Sequence, residues 1–315
     1  MVKIRTLFFV SLLFSQAFAL LRPSPCNWGV QGEYLFLKSR SEQSDFVLQI
    51  TDLGVTNKIV NNEGNFKSGL RLEGAYGIDQ LHDIRLRFTG FHPGQHLRSV
   101  SGTLSNPFLP NDAPFIGNAS SSLGFKYYSV EGLYGRWLYD TCDFDLALQT
   151  GVVYSNIKTR EHLTFSPLIP SVESHAATFT YQSRFWGFGP EVAIDFQYPV
   201  TYLPYGIFSI AANARGAILA SVTKANMVQV IAPAITPPTQ RFHGESIWRA
   251  TPAFDARIGL NWQTTCFCFD ALLEVGYEWI WTHNAANKNT PLAIAINQYS
   301  DVNFQGPYFA LGVEF

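Results

Sequence analysis

The sequence predicts an all-β fold, an antiparallel transmembrane β-barrel, and three observations carry that prediction. The first is composition. The 315 residues are 47% hydrophobic and 15% aromatic but only 15% charged, with Phe 26, Tyr 14, Trp 7 and Gly 24 against Met 2. That balance suits strands whose outer surface is not bathed in water. The second is hydropathy: mean hydropathy is only +0.03. After the N-terminus no uninterrupted apolar run reaches membrane-helix length, since Ile207 to Val222 is broken by Asn213 and Arg215. The third is recurrent period-two alternation, with charge confined to one parity.

At the N-terminus Lys3 and Arg5 precede the apolar run Leu7 to Phe14, and Ala17-Phe18-Ala19 has the small-x-small pattern of a cleavage site. Residues 1–19 are therefore expected to be a cleaved signal peptide, 20–27 a short periplasmic segment and 28–315 the barrel. Charge is nearly balanced, with formal net charge −2, so no nucleic-acid partner is expected.

About ten strands are expected, near 28–38, 66–76, 83–91, 124–138, 142–158, 178–198, 203–222, 246–262, 268–283 and 304–315. The count is even, and twelve is the alternative if 92–123 adds a hairpin. In 268–282, Phe269, Ala271, Leu273, Val275, Tyr277, Trp279 and Trp281 share a face opposite Asp270, Glu274 and Glu278. The same rule sets Leu70 and Leu72 against Arg71 and Glu73, Ile84, Leu86 and Phe88 against Arg85 and Arg87, and Phe254, Ala256, Ile258 and Leu260 against Asp255 and Arg257. The connections near 77–82, 139–141, 199–202 and 263–267 are short. Those near 39–65, 92–123, 159–177, 223–245 and 284–303 are long. Short periplasmic turns and long external loops belong to an outer-membrane barrel, whereas a soluble sandwich has no reason to sort its loops. Trp28, Trp137 and Trp262 fall near one end and Trp248, Trp279 and Trp281 near the other, as two interfacial girdles require.

The inner parity nominates Glu33, Arg71, Glu73, Arg85, Arg87, Glu131, Asp145, Glu191, Asp195, Asp255, Arg257, Glu274 and Glu278 as pore-lining residues. Their mixed signs predict weak ion selectivity of open direction. Cys26, Cys142, Cys266 and Cys268 cluster at the short-turn end and are disulfide candidates in an exported chain, within it or to envelope partners, with free thiols as the other reading. No metal or cofactor is expected: Pro93 and Gly94 break the helix that would align His92 with His96. No nucleophile elbow or phosphate loop is present, so no enzyme is expected.

Several strand blocks resemble the Legionella-type pore-forming major outer membrane protein family. They run from Trp28 to Lys38, Tyr128 to Gly135, Phe185 to Glu191, Glu274 to Trp279 and Phe304 to Phe309, continuing to Phe315. The resemblance implies a barrel and a pore in the bacterial outer membrane, with no catalytic residues to carry over. A looser analogy, resting on the cysteines, is to the cysteine-bridged major porins of chlamydia-like bacteria. Phe309, Leu311, Val313 and Phe315 look like the terminal signal that such barrels present to their assembly machinery. The expected function is passive diffusion of small hydrophilic solutes and ions. The alternative is a non-conducting structural or adhesive barrel, because a ten-strand ring leaves a narrow hole at best. The apolar, proline-rich segment Val228 to Pro238 is expected to be a loop that either constricts the lumen or projects as a contact surface.

Overall fold

The computed structural model describes residues 25–315 apart from 42–44, 52–55, 63, 93, 106–113, 142–143, 169–175, 233–238, 245, 267–268 and 291–295. The expected signal peptide, Cys142 and Cys268 therefore lie outside the described residues, as does the Pro-rich part of 228–238.

In chain order the strands are β1 Trp28–Ser41, β2 Asp45–Thr51, β3 Thr56–Asn61, β4 Phe66–Gly77, β5 His82–Phe91, β6 Gln95–Ser105, β7 Phe115–Asp140, β8 Asp145–Pro167, β9 Ala176–Leu203, β10 Gly206–Ala232, β11 Thr239–His243, β12 Ile247–Cys266, β13 Phe269–Thr290 and β14 Ile296–Glu314. All belong to one antiparallel sheet. Ten of them close a ring in the order β1, β14, β13, β12, β10, β9, β8, β7, β5, β4 and back to β1. Reciprocal backbone bonds between Trp28 and Phe315, 3.0 and 2.9 Å, seal the first and last strands. Lipid offers an open edge no hydrogen-bond partner, which is why the ring closes.

The ten strands expected from sequence are those of the ring. The region 92–123 does hold an additional strand, β6, but it pairs with β7 above β5 on the same edge (Gln95 opposite Gly124, after Phe91 opposite Tyr127) and leaves the ring at ten. The expected long loops are corrected more substantially. β7, β8, β10 and β13 run far into them, and residues 228–232 are strand, all paired with β9 and 228–230 with β11 as well. The physical reason lies on the inner face. Beyond the membrane it becomes apolar, and Phe115, Leu163, Phe165 and Phe179 pack together there. The walls thus keep a core to cover after their outer face has turned polar.

Outside, the parity reads as lipid demands: Leu70, Leu86, Val130, Val192, Ile258, Val275 and Leu311 are all exposed. On β9 the greasy face runs from Trp186 to Tyr198. Twelve residue steps of about 3.3 Å on a strand tilted about 40° rise about 30 Å, close to a hydrocarbon core. Trp186 and Trp248 form an edge-to-face pair, centroids 5.3 Å apart, at the long-loop end of this band. Trp137 is a correction to the expected girdle. It lies on the inner parity of β7, 3% exposed, and its Nε1 donates to Asp83 Oδ2 at 3.2 Å. At the β9–β10 turn Gly206 has φ 149°, and a Cβ there would meet the Gln263 carbonyl, so this turn requires glycine.

Candidate functional site in the barrel interior

The strand register writes the interior chemistry. Facing residues on neighbouring strands are Glu33 and Arg71, Glu73 and Arg87, Arg87 and Glu131, Arg215 and Asp255, and Arg257 and Glu278. Because side chains alternate with period two, all of these enter the same space. Longer bridges then cross it. Arg71 Nη2 on β4 reaches Glu278 Oε1 on β13 at 2.5 Å, and Arg257 Nη1 on β12 reaches Glu33 Oε1 on β1 at 2.9 Å. Arg215 Nη1 on β10 reaches Glu131 Oε2 on β7 at 2.6 Å, and Arg85 Nη1 on β5 reaches Asp195 Oδ2 on β9 at 3.3 Å. Each of these pairs joins strands three positions apart around the ring.

All thirteen nominated residues sit on the inner parity. Twelve are buried, and Asp255 is half-buried, 3.8 Å from Arg71. Ten of them meet in the ion-pair mesh itself. Glu274 instead accepts from the Tyr308 hydroxyl. Glu191 and Asp145 lie on the same parity of β9 and β8, buried beside the mesh. The sequence reading missed Asp83, which binds Arg85 at 2.9 Å, and Arg215, which it had treated only as a break in an apolar run. The signal was present: Ser209, Asn213, Arg215 and Ser221 share one parity of β10. With these two included, ten carboxylates face five guanidinium groups. Several polar atoms in this layer have no protein partner, among them Glu191 Oε2, Glu278 Oε2, Arg215 Nη2 and both side-chain atoms of Asn261. A buried polar atom without a partner is destabilising by about 1–3 kcal/mol, so ordered water belongs in this layer.

Toward the long-loop end the interior changes character, which the sequence reading did not anticipate. Leu35, Leu37, Phe91, Phe125, Ile157, Phe185, Leu219 and Phe304 form an apolar layer across the barrel. Phe304 packs against Phe91, Phe125 and Tyr127, with ring centroids 5.3, 6.0 and 5.3 Å away. A second layer lies beyond it, where the β2–β3 hairpin inserts Phe46, Val47 and Val60 against Leu104, Phe165 and Phe179. Asn62 pins the hairpin by donating to the backbone oxygens of His96 and Ser121 at 3.1 and 2.9 Å. The inner series of β1 shows the switch in sequence: Gln31 and Glu33, then Leu35 and Leu37.

At the opposite end Cys26 carries a free, exposed thiol, and Cys266 closes β12. Among the described residues no group of three or more His, Cys, Asp or Glu side chains is placed to hold a metal.

The closed ring with its charged interior is matched along nearly all its length by one family model. The model of the Legionella pneumophila major outer membrane protein precursor matches residues 23–315. The chain belongs to that family. It is a β-barrel of the bacterial outer membrane. No curated protein matches it. Among solved structures it is similar to the outer membrane protease OmpT from Escherichia coli, at 12% identity and TM-score 0.49, covering 94% of this chain and 98% of that one. It is also similar to the outer membrane protein OprG from Pseudomonas aeruginosa, at 12% identity and TM-score 0.31, covering 94% and 99%. A third is a Pseudomonas aeruginosa FadL homologue, at 9% identity and TM-score 0.27, covering 96% of each chain.

Proposed function

We propose that this protein is a narrow, gated outer-membrane channel for small hydrophilic solutes and ions, closed in the conformation described. The observation that carries the reading is the ionic layer, whose unpartnered buried atoms call for water. Filling a ten-strand ring with apolar side chains is the more stable way to plug it, since a buried ion pair is commonly no better than a hydrophobic replacement. A hydrated, multiply bridged interior suits a path for charged solutes. With ten carboxylates against five guanidinium groups, the path favours cations. The gate is apolar: the layer around Phe304 and the β2–β3 hairpin above it must part for conduction.

Those same two layers favour a second reading, a sealed structural or adhesive barrel. Planar-bilayer recording separates them. A channel gives small, discrete, cation-selective steps, and replacing residues 45–61 by a short Gly-Ser linker raises the open probability or the step size. Folded protein that never conducts, with the hairpin present or removed and with Phe304→Ala added, establishes the sealed barrel instead.

A further inference from the structure

A row of cations crosses the outer wall immediately above the membrane band. Lys126 on β7 faces Lys158 on β8, Lys158 faces Arg184 on β9, and Arg184 faces Lys224 on β10. All four are exposed and stand on the outward parity. Strands lie about 4.8 Å apart, so the row spans about 14 Å. One rank further out Arg160 faces Gln182, which faces Asn226. Like charges placed directly opposite one another on a sheet repel, and none of these five cations has a carboxylate partner among the described residues. A groove of about 720 Å³, which also takes in His92 and Gln95, lies among them.

The height of the row is fixed by its neighbours. One rank inward along the strands, Val222 lies between Trp186 and Trp248, the edge-to-face pair of the long-loop girdle. The cations therefore stand at the headgroup level of the outer leaflet, where indole rings mark the interface. A second, independent feature lies below them on the lipid side. The outward face of β10 is small at Ala220, Gly216, Ala214 and Ala212, with Ile218 the one large side chain among them, and a groove of about 620 Å³ opens beside Gly216 and Ile218, between Pro190 and Val192 on one side and Phe254 and Trp279 on the other. A Cβ built at Gly216 meets nothing within 4 Å.

We propose that the row Lys126, Lys158, Arg184 and Lys224 with the groove beneath it forms a seat for one acylated, phosphorylated glycolipid of the outer leaflet, of lipid A type. Its phosphates are held by the cations and an acyl chain lies in the groove beside Gly216, against Ile218, Val192 and Phe254. Phosphate accepts charge-assisted bonds from lysine and arginine, which relieves the repulsion within the row. The apolar channel directly below takes a chain that a soluble anion does not have.

The test uses the full folded barrel in detergent, probed with bis-phosphorylated lipid A by native mass spectrometry, with heat-modified gel migration as the check on folding. The barrel is expected to retain one lipid A. The variant K126Q/K158Q/R184Q/K224Q, whose substitutions are all on the outer surface, is expected to migrate as folded and to bind lipid A more than about tenfold more weakly. Gly216→Phe keeps every cation, fills the groove and is expected to weaken retention as well. Dephosphorylated lipid A and phosphatidylglycerol are expected to bind weakly, and millimolar inorganic phosphate is expected not to displace lipid A. Equal retention by both variants, equal binding of the dephosphorylated lipid, equal binding of phosphatidylglycerol, or displacement by inorganic phosphate would each overturn the proposal.

Discussion

Arg71→Ala tests whether the interior layer is tightly packed or open water. The guanidinium donates to Thr89 Oγ1 at 3.0 Å, Glu33 Oε2 at 2.9 Å and Glu278 Oε1 at 2.5 Å. After truncation Glu33 keeps Arg257, whereas Glu278 loses its one ion-pair partner among the described residues. Breaking a buried pair by removing one member is destabilising by about 3–5 kcal/mol, while an exposed pair is worth about 0–1 kcal/mol. Both members are at most 2% exposed, so the larger figure applies. The assay is urea unfolding in detergent micelles followed by tryptophan fluorescence. The expected loss is about 3–5 kcal/mol, and most of it should return in Arg71→Met/Glu278→Met, which removes both charges at similar volume. A single variant within about 1 kcal/mol of the parent would refute the reasoning, because it would mean that bulk water already solvates both partners.

Three further outcomes are expected. Phe304→Ala empties the centre of the aromatic layer and should lower stability by about 3–5 kcal/mol in the same unfolding assay. Gly206→Ala forces a side chain into a left-handed turn against a backbone carbonyl and should lower the folded fraction on heat-modified gels, at a cost of about 1–3 kcal/mol. His96, outside the membrane band, has its pKa held below the usual imidazole value by partial desolvation and then by Arg98, Lys67 and Lys38. The unfolded chain therefore binds its proton more readily, and stability should fall as pH drops from above about 6.5 toward 5. His96→Gln should flatten that part of the urea-midpoint profile.

The ring was legible in sequence because lipid imposes one rule on every strand: the outer parity must be apolar, so Leu70, Leu86, Val192, Ile258 and Leu311 announce their strands. The upper continuations were less legible because that rule stops at the interface. In β8 the outer series turns from Tyr154 to Lys158, Arg160 and His162, while the inner series holds Ile157, Leu163 and Phe165. The two parities exchange roles, and a reading keyed to the greasy outer face ends the strand where the membrane ends. The β2–β3 hairpin was hidden for another reason. Its buried residues Phe46, Val47 and Val60 find their partners 40 residues or more away, on β6 to β10, and no local period reports a contact of that range.

The charged layer was legible as a set of positions but not as a network. Parity places Glu33 and Arg71 inside; only register makes them face each other, and only closure of the ring brings Glu278 to Arg71 across four strands. A bridge that crosses the lumen ties strand order to side-chain identity, because a slip of one residue in β4 sends Arg71 into lipid and Leu72 into the carboxylates. The ionic layer thus penalises wrong registers as well as setting the charge of the interior. The two roles separate by experiment: exchanging the partners in Glu33→Arg/Arg71→Glu preserves local complementarity but places a carboxylate against Glu278. If register alone were the requirement, that variant would fold as the parent does; if the cross-lumen bridge matters, it should lose about the stability lost in Arg71→Ala.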